Sequence, residues 1–235
     1  MKDTIALLAA VHQELAPCVA HLSLRRRGKQ YIGCVGDRRI VAMTSGVGGN
    51  RAMEAIDQLA AGQRPIRLIH IGFAGALDPT LQVADVPDFR WVMDESGARI
   101  ELDGAGPKPG SAPSRAADGL KLLTVAQLAG SARMKRCLFE RHGACAVDME
   151  SYAVARHAAG LTLPLTILRA ISDKAETDIP SAAVSWVNSD GSTNWRAATR
   201  YLAARPWHVR AMMHLKQSGH LAAERLAERV AELIH

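Results

Sequence analysis

Four acids in this 235-residue chain stand shortly after apolar runs. Glu14 follows TIALLAA (4–10), Asp148 and Glu150 follow ACAV (144–147) on either side of Met149, and Asp173 follows Leu165–Ala170 beside Ser172. Isolated acids are rarely buried without partners, so two readings stand. Such residues either cap solvated helix starts or line a pocket in which carboxylates handle protons and polar ligand groups. Two glycine segments occupy equivalent places, SGVGGN (45–50) after Val41–Thr44 and GFAG (72–75) after Leu68–Ile71. Each feature alone is weak. In α/β sheets, however, ligands gather at the carboxyl ends of strands, and all of these features fall on that edge. His12 and Glu14 lie close in sequence, but there is no HExxH and no cluster at metal-ligand spacing. Neither a metal nor a cofactor is expected.

The elements that must position these residues read as alternating strands and helices, hence an α/β domain around a mainly parallel or mixed sheet. Tyr31–Val35 and Arg39–Thr44 flank Gly36-Asp37 as a hairpin. A helical pattern follows SGVGGN through Ala61. Arg67–Phe73 is a buried-strand candidate that ends in a glycine turn at Gly72-Phe73-Ala74-Gly75. The signal weakens after Asp85, and residues 104–114 form a loop by composition. Leu120–Val125, Ala144–Val147 and Leu165–Ala170 are later strands. Helices are expected at about 130–141, 150–159 and 193–204, with more beyond Pro206. No repeat or linker divides the chain, so a single domain over residues 1–235 is expected, with a helical C-terminal extension over about 193–235. Residues 219–235 are amphipathic. They read as a helix packed on the domain or on a subunit partner, or as a surface that meets membrane or a lipid-like substrate.

Nearly half the residues are apolar, enough for a core without disulfides or metals. The four cysteines show no CxxC spacing and read as reduced thiols. No apolar run has membrane-spanning length and no signal-like segment opens the chain, so a cytoplasmic protein is expected. The net charge is +6, yet aromatics are scarce, and base-stacking surfaces need several of them. Apart from Arg25-Arg26-Arg27 and an Arg-rich C-terminal third, the basic residues are dispersed. They read as a solvated surface rather than a nucleic-acid site, with attraction to an anionic membrane face as a further reading for the C-terminal part.

The stretches IALLAAVHQEL (5–15), SGVGG (45–49), GFAGALDPTLQVADV (72–86), VDMESYAVA (147–155) and LRAISDKA (168–175) carry a resemblance. In order and spacing the chain resembles the purine nucleoside phosphorylase/nucleosidase family, above all the 5′-methylthioadenosine/S-adenosylhomocysteine nucleosidases. The resemblance implies a three-layer α/β/α nucleoside phosphorylase-like fold with a central mixed sheet, usually oligomeric. It implies hydrolysis of the N-glycosidic bond of a 5′-substituted adenosine with release of adenine. By the same resemblance Asp173 protonates the purine at N7, Glu14 holds and activates water, and Glu150 accepts hydrogen bonds from the ribose hydroxyls. Met149 packs against the sugar, Ser172 supports the purine side, and Phe73, Ala74 and Gly75 form the turn beside the ribose. An oxocarbenium-like transition state makes the anionic oxygens intelligible. Asp148 has no equally clear task. Glu150→Ala is therefore expected to weaken ribose recognition far more than Asp148→Ala.

The chain also departs from those enzymes. Gln127-Leu128 stands where they carry a Phe-Ile pair that holds adenine, and Phe73 replaces a small polar residue. The tail after Asp178 and the DMESYAVAR stretch resemble the hopanoid-associated branch, which implies adenosylhopane as substrate. Alternatives remain open. A phosphate-dependent phosphorylase would use Arg51 for phosphate. A non-catalytic nucleoside-binding protein is suggested by Gln127 and Phe73, and a membrane-associated scaffold by the tail alone.

Overall fold

The computed structural model describes residues 3–102, 119–179 and 209–234. The loop expected at 104–114 and the helix expected at 193–204 lie outside these residues. The first half runs β1 (Thr4–Ala9), α1 (His12–His21), β2 (Arg25–Arg27), β3 (Gln30–Val35), β4 (Arg38–Thr44), α2 (Gly49–Gln63) and β5 (Arg67–Ala76). Then follow β6 (Phe89–Asp94), β7 (Arg99–Glu101), β8 (Leu120–Thr124), α3 (Ala132–His142), β9 (Ala146–Asp148), α4 (Ser151–Gly160), β10 (Leu165–Asp173) and α5 (Val209–Ile234).

The strands form one mixed sheet in the order β2-β3-β4-β1-β5-β9-β8-β6-β7, with β10 also paired to β5. The apolar runs of β1, β4, β5 and β10 lie parallel at its centre. Continuous apolar sequence is what a strand covered on both faces requires. One face packs on α2 and α4 through Ala52, Ile56, Leu59, Val154 and Ala158. The other packs on α1 and α5 through Leu15, Cys18, Ala222, Leu226 and Val230. This is the expected α/β/α arrangement around a mixed sheet. Leu226, Val230 and Ile234 are fully buried in that second layer, so the apolar stripe of α5 is spent on the domain itself. No helix among the described residues is long and apolar enough to cross a membrane.

One expected feature is overturned. Gly72–Gly75 is not a turn: β5 runs straight through it to Ala76, paired with β10 as far as Gly75 and then with β9. Its glycines answer to crowding rather than to turning. A Cβ on Gly72 would lie 3.2 Å from Glu14 Oε1, and one on Gly75 would lie 3.0 Å from Asp173 Oδ2. The other glycine segment does turn, with Gly46 and Gly48 at φ 85° and 105°, conformations that side chains disfavour.

The long β5 forks the sheet. β1 stops at Ala9, opposite Ile71, while β5 continues five residues further. The gap opened beyond β1 is where the acids collect.

Candidate active site

A cavity of about 320 Å³ lies at this fork. Its wall includes Glu14, Asp148, Glu150 and Asp173, together with Phe73, Ala74, Gly75, Leu128, Met149 and Ser172. Two anticipated residues fall outside the wall. Gln127 is exposed beside the cavity-lining Leu128, and Arg51 is exposed on α2. Leu215 and Gly219 of α5 also line the cavity, and sequence reasoning had not placed that helix at the site.

Glu14 is buried in the first turn of α1 and bridges the fork. Its Oε2 accepts from the backbone N–H of Ala10 (3.0 Å) and Val11 (3.1 Å), where β1 has ended. Its Oε1 accepts from the N–H of Phe73 on β5 at 3.0 Å. Burial raises its pKa, opposed by these three N–H groups and by the Arg169 guanidinium.

Glu150 sits just before α4, but its carboxylate caps nothing in that helix. Instead Oε1 reaches across the cavity to the N–H of Gly48 at 3.1 Å. Burial first, and then the neighbouring Asp148 charge, push its pKa up to about 7, with Arg169 pulling the other way.

Asp148 acquires a clear task. Its Oδ2 accepts from Arg169 Nε at 2.9 Å, and its Oδ1 from Thr124 Oγ1 at 2.7 Å. The Ser151 backbone N–H, in the first turn of α4, donates to it as well. Arg169 is 1 % exposed; its Nη1 donates to the His70 and Leu168 carbonyls, and its Nη2 meets His70 Nδ1 at 2.9 Å. Burial and the adjacent guanidinium lower the His70 pKa well below the usual value, so this imidazole is neutral and acts as an acceptor for Arg169. One buried cation thus serves Asp148 directly and softens the repulsion among Asp148, Glu14 and Glu150.

Asp173 ends β10 and is likewise buried. Ser172 Oγ donates to its Oδ1 at 2.6 Å. Its Oδ2 accepts from Nζ of Lys135, a fully buried lysine on α3. The same nitrogen donates to the Lys174 carbonyl (2.7 Å) and the Thr177 carbonyl (3.0 Å). Neither Lys135 nor Arg169 was singled out from sequence. An arginine inside the apolar run LTILRAIS was a legible signal, because a charge on a two-face-covered strand requires partners. Lys135 in ARMKRCLF gave none; it reads as solvated helix surface.

The description "phosphorylase superfamily" belongs to the family model that matches residues 4–118 and 119–204. No curated protein matches the chain. Among solved structures, a mutant Helicobacter pylori 5′-methylthioadenosine/S-adenosylhomocysteine nucleosidase with 5′-methylthioadenosine in its active site superposes with a TM-score of 0.66. The two are 18 % identical over 99 % of this chain and 100 % of that one. A Francisella philomiragia structure named as a 5′-methylthioadenosine/S-adenosylhomocysteine nucleosidase gives 0.66 at 19 % identity, covering 100 % and 99 %. A Helicobacter pylori futalosine hydrolase mutant gives 0.62 at 17 %, covering 98 % and 99 %. At such identities the likeness is one of fold.

Proposed function

The chain belongs to the phosphorylase superfamily, and within it we propose a nucleosidase that hydrolyses the N-glycosidic bond of a 5′-substituted adenosine and releases adenine. The observation that carries this reading is the placement of Glu14, Glu150 and Asp173 around one cavity. As the C1′–N9 bond breaks, positive charge grows on the sugar and is favoured by the carboxylates beside it. Glu150 holds the ribose hydroxyls, Glu14 takes a proton from the attacking water, and Asp173 serves the purine.

Hydrolysis suits the site better than phosphorolysis. Phosphate binding needs backbone or cationic donors, yet the Gly48 N–H is engaged by Glu150 and Arg51 stands outside the cavity wall. An incoming phosphate would also face Glu14. The test is free-adenine release from 5′-methylthioadenosine in phosphate-free buffer. Full activity without phosphate is expected, and a strict phosphate requirement with a ribose-1-phosphate product would overturn hydrolysis. Binding of adenine without cleavage across a nucleoside panel would leave only a binding protein.

Val47 and Leu215 add apolar lining to the cavity, which supports an apolar 5′ substituent. Methylthio and the hopane of adenosylhopane are the two candidates, to be compared side by side by kcat/KM.

Glu150 also sets a pH dependence. With its pKa raised to about 7, it is protonated below that pH and then loses acceptor capacity for the ribose hydroxyls. We expect kcat/KM to fall below about pH 7, and Glu150→Gln, which keeps one acceptor oxygen, to lower its plateau by roughly 10- to 100-fold, the worth of one hydrogen bond to a charged group. The stability sign is the reverse. The folded state binds this proton more readily than the unfolded chain, so Glu150's contribution falls as pH rises from 4.5 to about 7. A Glu150→Gln profile that coincides with wild type in height and shape would remove Glu150 from the ribose site.

A further inference from the structure

The lysine behind Asp173 has no part in the scheme above, and its surroundings are specific. Lys135 is 0 % exposed, and its Nζ meets three acceptors: Asp173 Oδ2 and the carbonyls of Lys174 and Thr177. An ammonium has three N–H donors, so each has one partner. A general acid for a purine must hold a proton at neutral pH. Here Lys135 Nζ is the group bonded to Asp173 Oδ2 that can hold one.

We propose that Lys135 is a positioning residue that acts through Asp173, holding its carboxylate in place and supplying the proton that Asp173 passes to the leaving base; this role rests on the nucleosidase reading. The ammonium–carboxylate pair and the amine–carboxylic acid pair contain the same number of protons, and the second is the acid-competent form. As C1′–N9 breaks, its electron pair stays on the purine, and N7 takes the carboxyl proton of Asp173. Lys135 Nζ, which supplied that proton to the carboxyl, is left as a neutral amine beside the Asp173 carboxylate, and solvent reprotonates it after adenine leaves. The water that adds to C1′ gives its proton to Glu14. The proton given to N7 is thus drawn from an ammonium group, and ammonium groups in general hold their proton to higher pH than carboxylic acids do.

Several other ionisable groups surround the pair. From α1 comes Glu14, and from β9 and the turn after it come Asp148 and Glu150, all lining the same cavity. Asp178 lies beyond β10, with its Oδ1 bonded to the Ala132 N–H at the start of α3, and Glu95 bonds the Ala126 N–H. Lys174, Arg133 and Arg136 are exposed.

The test is the pH profile of kcat/KM for adenine release from 5′-methylthioadenosine. Wild type should hold its plateau well into alkaline buffer and lose activity only in the range of an amine. Lys135→Met, similar in volume and without a proton, should lose about 100-fold at about pH 8.5 and far less at about pH 6, as its alkaline limb moves toward acid. Lys135→Arg keeps the charge and donors but cannot give up a proton, so it should not restore activity in alkaline buffer. A uniform loss at all pH values, a limb moved to higher pH, or full rescue by arginine each overturns the proposal. Should neither variant fold, a wild-type alkaline limb in the carboxylic-acid range overturns it alone. Absence of adenine release by wild type would instead overturn the nucleosidase reading, and this role with it.

Discussion

Replacement of Glu14 by Gln should lower kcat for adenine release by about 10²- to 10⁴-fold with little change in KM, the usual worth of a positioned general base. Among the described residues, Glu14 is the one cavity carboxylate held by three backbone N–H groups, from Ala10, Val11 and Phe73. Those bonds fix it in place at the gap between β1 and β5. The amide retains one oxygen, but its NH₂ must face N–H donors on the other side. A stability loss of about 1–3 kcal/mol is therefore expected as well. The two effects separate when kcat is measured on protein shown to be folded by circular dichroism at the assay temperature. A Glu14→Gln enzyme within tenfold of wild type would remove Glu14 as the base.

The second large effect concerns Asp148. In Asp148→Ala the Arg169 guanidinium keeps its burial and its bonds to His70 and Leu168 but loses its carboxylate partner. Removal of one member of a buried ion pair costs about 3–5 kcal/mol. For a chain of this size that is a fall in Tm of roughly 6–20 °C. Glu150→Ala should do the opposite at neutral pH, costing ribose recognition while relieving the fold of a carboxylate whose burial is unfavourable. The comparison of the two acids is thus one of stability against recognition. Thermal melts and kcat/KM on both variants decide it; coincident melting of Asp148→Ala and wild type would show that the Arg169 cluster does not depend on Asp148.

The central strands were legible because burial on two faces leaves a continuous apolar run, as in TIALLA and RLIHI. The hairpin at Gly36-Asp37 and the helices α2, α3 and α4 followed from turn residues and periodicity. Strands β6 and β7 were missed because they lie toward one end of the sheet, where FRWVMD and RIE mix charged with apolar residues. Arg25-Arg26-Arg27 reads as a basic surface and is also an exposed edge strand, β2. Glycines at 72 and 75 suggested a turn because sequence shows where a side chain is missing but not what fills its place. The carboxylates that fill it come from Glu14, about sixty positions away, and from Asp173, about a hundred. Of the site, the acids were visible by their position after strands. Of their counter-charges, Arg169 left a signal as a charge inside an apolar strand, whereas Lys135 left none, because it meets Asp173 only where α3 approaches the end of β10.

The bridge that Glu14 makes across the fork bears on how lineages of this fold would decay. A carboxylate that closes the gap where β1 stops is held by the architecture, so a descendant that had abandoned catalysis would still be under pressure to keep it. Glu150 is in the opposite position. Among the described hydrogen bonds it accepts one, from Gly48, and its burial is a burden on the fold that only a ligand redeems. In a drifting copy, position 150 would be released first and position 14 last. Surviving chemistry is therefore better judged from the acid the fold could do without.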